Sequence, residues 1–450
     1  MDVFYWLLPG ITILFLFAGA FTSFLEKEKR AGTLLLLIAG IVSFLFLIPF
    51  IFQPESALYQ WVLTVIFGVL LVMLFIPAGK PSFSNNFENL PGFHEEDAVL
   101  SRRLLQPGTS EYTSYYQRNP EKKEPDDKAR VNPGLLSERA RYYDPILFEG
   151  ASANFTITDH LHLLESKTPN EKIQRVEDEK ITAFIKSWLK RSGAADVGFA
   201  PLRAYHLYSH KGRGKRKGDP IMADLPHAIA ITVEMNYKQM KYAPAGPTVL
   251  ESSEQYLNSG MLASKLALMI KNLGYRARAH IDGNYELICP IVAEDAGLGV
   301  IGRMGLLMTP RLGPRVRIAV VTTDLPLKYK VRKASSVAID FCRRCKKCAE
   351  VCPASAIPKG PIKELNGVWR WKIDSEKCYT YWTLSGTDCG RCMIVCPFAH
   401  QDSWFHRFIR WGIQNNLFFR IMAVKLDDVF YGRKPASKKL PNRLIFMKDK

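Results

Sequence analysis

Eight of the nine cysteines fall within 55 consecutive residues, and that crowding limits what the chain can fold into more than any other feature. They form two groups, CRRCKKCAEVCP (Cys342, Cys345, Cys348, Cys352) and CYTYWTLSGTDCGRCMIVCP (Cys378, Cys389, Cys392, Cys396). The first has the spacing C-x2-C-x2-C-x3-C-P, and the second closes with C-x2-C-x3-C-P. In such a run three thiolates hold three corners of one iron-sulfur cubane while the fourth reaches the other cluster. Ligation should therefore cross over: Cys342, Cys345, Cys348 and Cys396 on one 4Fe-4S cluster, and Cys352, Cys378, Cys389 and Cys392 on the second. Structural zinc is the competing use of clustered cysteines, but its tetrahedral sites are usually built from C-x2-C pairs kept apart. Cys289, the ninth, sits in an apolar run and reads as a buried core thiol.

The other end of the chain obeys different physics. Residues 3 to 25, 31 to 52 and 56 to 79 carry no charged side chain, and each run meets the roughly 20 apolar residues an α-helix needs to cross a bilayer. Three transmembrane helices are predicted. A cleaved signal peptide fits poorly, because the first run is too long, has no basic segment before it, and is followed at once by a second apolar run. Lys27, Lys29 and Arg30 lie between the first two runs, whereas Gln53 to Glu55 contains no cation. Basic loops are retained inside, so Lys80 and everything after it should face the cytoplasm. Disulfides are disfavoured in that reducing compartment. No Asp, Glu, Lys, Arg or His lies within the spans, so they read as an anchor or a docking site for a membrane electron donor. The first 80 residues hold four acids and four bases, so the net charge of +18 belongs entirely to the remainder.

Residues 81–150 are polar and rich in Pro, Asn and Ser, and read as an extended linker that wraps a later domain. From 151 to 330 helical and strand patterns alternate, which implies a mixed α/β domain. ITAFIKSWLKRSG reads as an amphipathic helix and HAIAITVEM as a buried strand. In SSEQYLNSGMLASKLALMIKNLGY, Ser252 and Gln255 have capping-box spacing, which places Tyr256 in the first turn. Gly297, Gly299 and Gly302 would let backbone approach a ligand closely, although no strand precedes them as a dinucleotide fingerprint requires. Arg315 and Arg317 share one face of the strand GPRVRIAVVTTDLPL, and two arginines on a strand that otherwise looks buried need an anionic partner or water. The run KGRGKRKG, 211–218, reads as a solvated loop. Residues 331–400 make a ferredoxin-type domain and 401–450 a C-terminal capping segment.

Taken in order, HAIAITVEMNYKQMKYAP, Tyr256 ahead of LASKLALMIKNLGYRARAH, AEDAGLGVIGRMGLLMTPRLGPRVRIAVVTTDLPL, the two cysteine groups and KLDDVFYGRKP resemble the corrinoid-dependent reductive dehalogenases, over most of residues 150 to 435. The resemblance implies a nitroreductase-like α/β core that binds a base-off cobalamin, joined to the bacterial-type double 4Fe-4S ferredoxin domain; the three-helix transmembrane anchor read from the apolar runs is a departure from the family, whose members use a separate anchor. The resemblance also implies a tyrosine that gives the proton replacing the leaving halide, with a cation to steady the tyrosinate. By position these are Tyr256 and Arg317 or Arg315, with Arg317 the better fit, and Asn284 falls at a polar active-site position. A cation beside the phenol should lower its pKa. Exported members of that family have a twin-arginine signal, absent here, which suggests a cytoplasm-facing enzyme. The implied partners are the membrane, a halogenated small molecule, and an electron donor that is a membrane quinol or a small ferredoxin- or flavodoxin-like protein; nucleic acid is disfavoured. Epoxyqueuosine reductases share the corrinoid and double-cluster core but carry an acidic donor just upstream of the AGLG turn, where this chain has Gly283 and Asn284 beside Asp282. A tRNA-directed enzyme is therefore the second reading, and a membrane iron-sulfur carrier without corrinoid the third.

Overall fold

The computed structural model describes residues 2–52, 57–79, 81, 85, 87, 88, 90–214, 216–330 and 335–440. Gln53 to Glu55 and Lys80, which orient the apolar runs, lie outside the described residues. The chain divides into two compact units, one formed by 1–82 with 400–435 and the other by 83–399 with 436–450.

In the first unit the three apolar runs are helices α1 (Asp2–Leu25), α2 (Lys29–Phe52) and α3 (Ala57–Phe75). All three are long and apolar enough to cross a membrane. Large side chains such as Leu14, Phe21 and Leu58 are 66–78% exposed on them, a pattern water tolerates poorly. The C-terminal segment is not a simple cap. It forms two helices, Trp404–Asn415 and Leu417–Tyr431, that complete this unit. Trp404 Nε1 donates to Thr22 Oγ1 (3.0 Å), His406 Nε2 meets Glu26 Oε2 (3.1 Å), and Asn416 Nδ2 donates to the Met73 carbonyl (2.7 Å). Phe15 packs its ring against Trp404, Phe405 and Phe408.

The second unit is built on a four-stranded sheet ordered β1-β2-β6-β3, every neighbouring pair antiparallel: β1 (Asp196–Pro201), β2 (His227–Glu234), β3 (Ala277–His280) and β6 (Val316–Thr323). Between β3 and β6 the chain makes a small hairpin of β4 (Val300–Ile301) and β5 (Leu307–Met308). Strand β2 is apolar at nearly every position because both of its faces are covered. On one face lie Asp178–Arg191 and the long helix Gly246–Asn272, and Ile185, Leu189, Leu266 and Ile270 pack there with Ile229, Ile231 and Val321. The other face meets Val292, Ala293 and Leu298, from and just after the helix Cys289–Asp295. Truncating a side chain as buried as Ile185 to Ala should cost about 2–5 kcal/mol.

Two sequence expectations change. The long helix starts at Gly246, with Pro247 pre-organising its first turn, so Ser252 is not its cap and Tyr256 lies in its third turn. Residues 81–150 are not extended either. They form short helices, including Ser110–Arg118 and Pro120–Arg130, held by a fully buried Asp126 that accepts from Arg102 Nε (2.7 Å) and Arg103 Nε (2.9 Å). Arg103 also donates to Glu376 (3.1 Å), which ties the segment to the helix Ser375–Ser385 that carries Cys378.

Candidate active site

The cysteines lie at element ends that hold their thiols in place. The helix Val337–Cys345 carries Cys342 and Cys345, Lys346 turns left-handed (φ 56°), and the short helix Lys347–Val351 carries Cys348. Cys389 (φ 60°) and Gly390 (φ 67°) bend the chain to present Cys392. Burial first, and then Cys342, Cys345 and Cys348, push the Cys396 thiol well up. Burial and then Cys352 raise Cys378 to about 11, and burial, Cys378 and Cys352 together with Asp388 raise Cys389 to about 12. Cys342, Cys345, Cys348 and Cys396 line one small pocket, and Cys378, Cys389 and Cys392 each feel the charge of Cys352. Thiols raised this far ionise near neutrality only beside a cationic centre, so the donor chemistry fits iron-sulfur cubanes. Arg303 braces the first set: its Nε donates to the Cys342 carbonyl (3.1 Å), its Nη1 to the Pro358 and Gly360 carbonyls, and its guanidinium lies 4.4 Å from the Trp371 ring centre. The cysteine spacing gave no hint of this brace.

The glycines divide by task. Gly297 (φ 73°) ends the turn after Cys289–Asp295. A Cβ on Gly299 would stand 2.3 Å from the Met308 carbonyl oxygen, so that glycine serves the β4–β5 approach. Gly302 alone of the three lies beside a cysteine of the first set, its notional Cβ 2.6 Å from Met308 Cγ and 3.5 Å from Cys342 Sγ.

Strand alternation points Arg317, Ala319 and Val321 toward the long helix, and Arg317 pairs in register with Val233. Its guanidinium lies 4.5 Å from the Tyr256 ring centre and donates to Ser252 Oγ and Asp388 Oδ2. Arg317 and Asp388 side chains are only 11% and 13% exposed. Asp388 directly precedes Cys389, so the guanidinium beside the phenol is bonded to the segment that carries the second cysteine set. Arg315 does not join them. It lies just before β6, fully buried, with Nε donating to the Ala399 carbonyl (2.6 Å) and Nη1 to Glu234 (3.1 Å). Asn284 accepts from Arg278 Nη2 (3.2 Å) in the turn after β3.

The electrostatics of Tyr256 differ from the sequence argument. Arg317 is the largest single influence and lowers its pKa, but burial with Asp282, Asp388 and Tyr285 outweighs it, and the net shift is upward. Sequence reasoning counted the cation and missed two carboxylates that arrive from distant loops. Asp282 is itself raised, by burial against the lowering effect of Arg213 and Arg317. The basic run also behaves otherwise than expected. Lys211 is buried and donates to the Tyr285 carbonyl (3.3 Å), while Arg213 pairs with the buried Glu95 (2.8 Å) and covers the Tyr285 ring at 5.3 Å. Only its later part remains a surface loop.

Tyr208 lies 6.0 Å from Tyr285, ring centre to ring centre, and opens onto a cavity of about 770 Å³. Leu207, Ile288, Ile291, Gly305 and Trp369 supply much of its wall. Cys289 lies beside that wall with its thiol raised to about 12 by burial.

This arrangement, two sets of four cysteines beside an α/β core with a phenol under a guanidinium, defines a dicluster iron-sulfur protein. The 4Fe-4S dicluster domain model matches residues 341–400. Over 291 residues the chain is 34% identical to a tetrachloroethene reductive dehalogenase of Sulfurospirillum multivorans, a match covering 57% of this chain and 58% of that protein. It is 35% identical over 219 residues to another of Desulfitobacterium hafniense, covering 45% of this chain and 38% of that one. An epoxyqueuosine reductase of Francisella cf. novicida is more distant, 31% identical over 141 residues, or 28% of this chain and 35% of that protein. Among solved structures, the catabolic reductive dehalogenase NpRdhA in complex with 3-bromo-4-hydroxybenzoic acid superposes with a TM-score of 0.63 at 22% identity, over 80% of this chain and 49% of that one. The chain is thus a relative of the reductive dehalogenases and has their fold. It spans 58% or less of the length of these curated relatives.

Proposed function

We propose that the protein is a membrane-anchored reductive dehalogenase that replaces a carbon-bound halogen by hydrogen. The observation that carries this reading is Tyr256 packed beneath Arg317, with Asp388 joining both to the second cysteine set. The curated relatives named for tetrachloroethene support it, as does a relative whose structure is described as B12-dependent.

The overall change takes an organohalide, two electrons and one proton to the hydrogenated carbon and a halide ion. When bound, the clusters would pass electrons singly and a corrinoid would apply them to the carbon-halogen bond. The cavity suits such a group: at about 770 Å³ it is in the upper part of the usual range of small-molecule sites, its wall is largely aliphatic and aromatic, and Arg370 Nε is buried there without a hydrogen-bond partner. Cys342, Cys345, Cys348 and Cys396 would hold one cluster, and Cys352, Cys378, Cys389 and Cys392 the other.

The chain's own residues manage the proton. Tyr256 gives its phenolic proton to the substrate carbon. Its raised pKa keeps it protonated until that moment, and Arg317 stabilises the tyrosinate that results. Asp388 and Ser252 fix the guanidinium over the ring. Arg315 is a structural residue in this reading, and Asn284 positions the turn that carries Asp282.

In the same reading α1 to α3 span the membrane and the basic loop Lys27 to Arg30 keeps the catalytic unit in the cytoplasm. A reporter fused at the C-terminus should behave as cytoplasmic; periplasmic behaviour would overturn that orientation. Anaerobically purified protein should carry about eight irons and one cobalt per chain, and Tyr256→Phe should abolish dehalogenation while corrinoid stays bound. Iron without cobalt would sink the proposal in favour of an electron carrier.

A further inference from the structure

The cavity contains a feature that proton donation does not use. The hairpin of β7 (Lys363–Leu365) and β8 (Val368–Arg370) closes one side of it. This hairpin is well fixed: its turn uses Asn366 and Gly367 at positive φ, Trp369 N donates to Asn85 Oδ1 (2.9 Å), and Val368 is buried against Phe87 and Ile291. Arg370 ends the hairpin and lines the cavity. Its Nε is buried with no hydrogen-bond partner. Burial alone lowers its pKa, with no neighbouring charge offsetting that effect. Arg303, the other buried arginine nearby, spends its donors on three carbonyls. Lys372 and Arg203 line the same cavity. Of the carboxylates on its wall, Glu294 already accepts from Ile301 N (2.9 Å), and Glu88 is the other.

A guanidinium whose buried Nε has no partner, carried on a fixed hairpin in a largely apolar cavity, is costly unless the ligand brings an anion. In a complete cobalamin the ring periphery is neutral amide, and the acyclic link to the nucleotide contains one phosphodiester. With the base off the metal, that tail needs a place of its own beside the ring. We propose that Arg370, assisted by Lys372 and Arg203, forms an anion subsite that takes the phosphodiester of the corrinoid's nucleotide tail. This rests on the corrinoid reading above. A planar fork of donors suits a phosphate's paired oxygens better than a point charge does.

The test compares two corrinoids on the full-length, cluster-loaded protein: hydroxocobalamin, and cobinamide, which has the same ring but no phosphodiester. The readout is the dissociation constant from corrinoid absorbance retained after equilibrium dialysis. Arg370→Gln should weaken cobalamin about 10- to 100-fold and leave cobinamide unchanged, Arg370→Lys should fall between, and Lys372→Gln should show a smaller loss of the same selectivity. Equal weakening of both corrinoids, or no change in either, at unaltered iron content would overturn the inference. So would an Arg370→Gln variant that keeps its cobalamin affinity but loses affinity for a halogenated carboxylic acid, because the subsite would then belong to the substrate. Wild-type protein that binds neither corrinoid would remove the functional reading itself, and this inference with it.

Discussion

Replacing Arg317 by Met tests the proton-donor arrangement directly. The guanidinium stands 4.5 Å from the Tyr256 ring centre in a little-exposed site. A cation this close to a phenol typically moves its pKa by one to three units, or about 1.4 to 4 kcal/mol for the phenolate. Because the transition state carries only part of that charge, the proton step should slow by more than about threefold and by up to about 1000-fold. Single-turnover dehalogenation by pre-reduced protein, run in H2O and in D2O, reads the step. A solvent isotope effect should emerge or grow in the variant as proton transfer becomes limiting. Arg317→Lys keeps the charge and loses the fork that reaches Ser252 and Asp388, so it should retain most of the rate. Because Met leaves Asp388 without its cation, Arg317→Met combined with Asp388→Asn separates the loss of stabilisation from an unpaired carboxylate. An Arg317→Met rate within threefold of wild type, with no isotope effect and full iron and corrinoid content, would refute the reasoning.

Three further outcomes follow from other parts of the structure. Burial raises Glu294 from 4.5 to about 7. The folded chain therefore holds that proton more firmly than the unfolded one, and stability should fall by up to about 3 kcal/mol as pH rises from about 4.5 through 7, levelling off above. Melting curves should show this slope in wild type and lose it in Glu294→Gln; identical slopes would refute the assignment. Gly299→Ala forces a methyl group to within 2.3 Å of the Met308 carbonyl oxygen, so it should lower soluble yield and melting temperature far more than Gly360→Ala, whose surroundings are open. Cys396→Ser and Cys352→Ser should each cost about half the iron, with paramagnetic signals of different clusters surviving; loss of the same signal in both would break the crossed pairing.

How much was legible in advance depended on whether the signal was local. The apolar runs were legible as helices long and apolar enough to cross a bilayer because that property depends on length and composition alone. β2 appeared as a strand because its burial on both faces is written in HAIAITVE. The dicluster domain over 341–400 was legible from cysteine spacing, since a cubane needs ligands at fixed intervals. The start of the long helix was misplaced because Ser252 looks like a cap only when Arg317 and Asp388 are out of view. The basic run was misread because Glu95, which turns Lys211 and Arg213 inward, lies more than a hundred residues earlier. The upward shift of Tyr256 was hidden for the same reason: its carboxylates come from the turn after β3 and from the loop before Cys389. The choice between Arg315 and Arg317 needed the strand's actual first residue, Val316, which leaves Arg315 outside the alternation.

The bonds joining Thr22 to Trp404 and Glu26 to His406 link positions about 380 apart in the chain. During synthesis the apolar helices must therefore wait, without their aromatic partners, until the whole of 83–399 has emerged. The last two helices, Trp404–Asn415 and Leu417–Tyr431, can supply those partners only once they themselves have emerged. Clipping the chain just after residue 400 would leave Glu26 without His406, and Thr22 and Phe15 without Trp404.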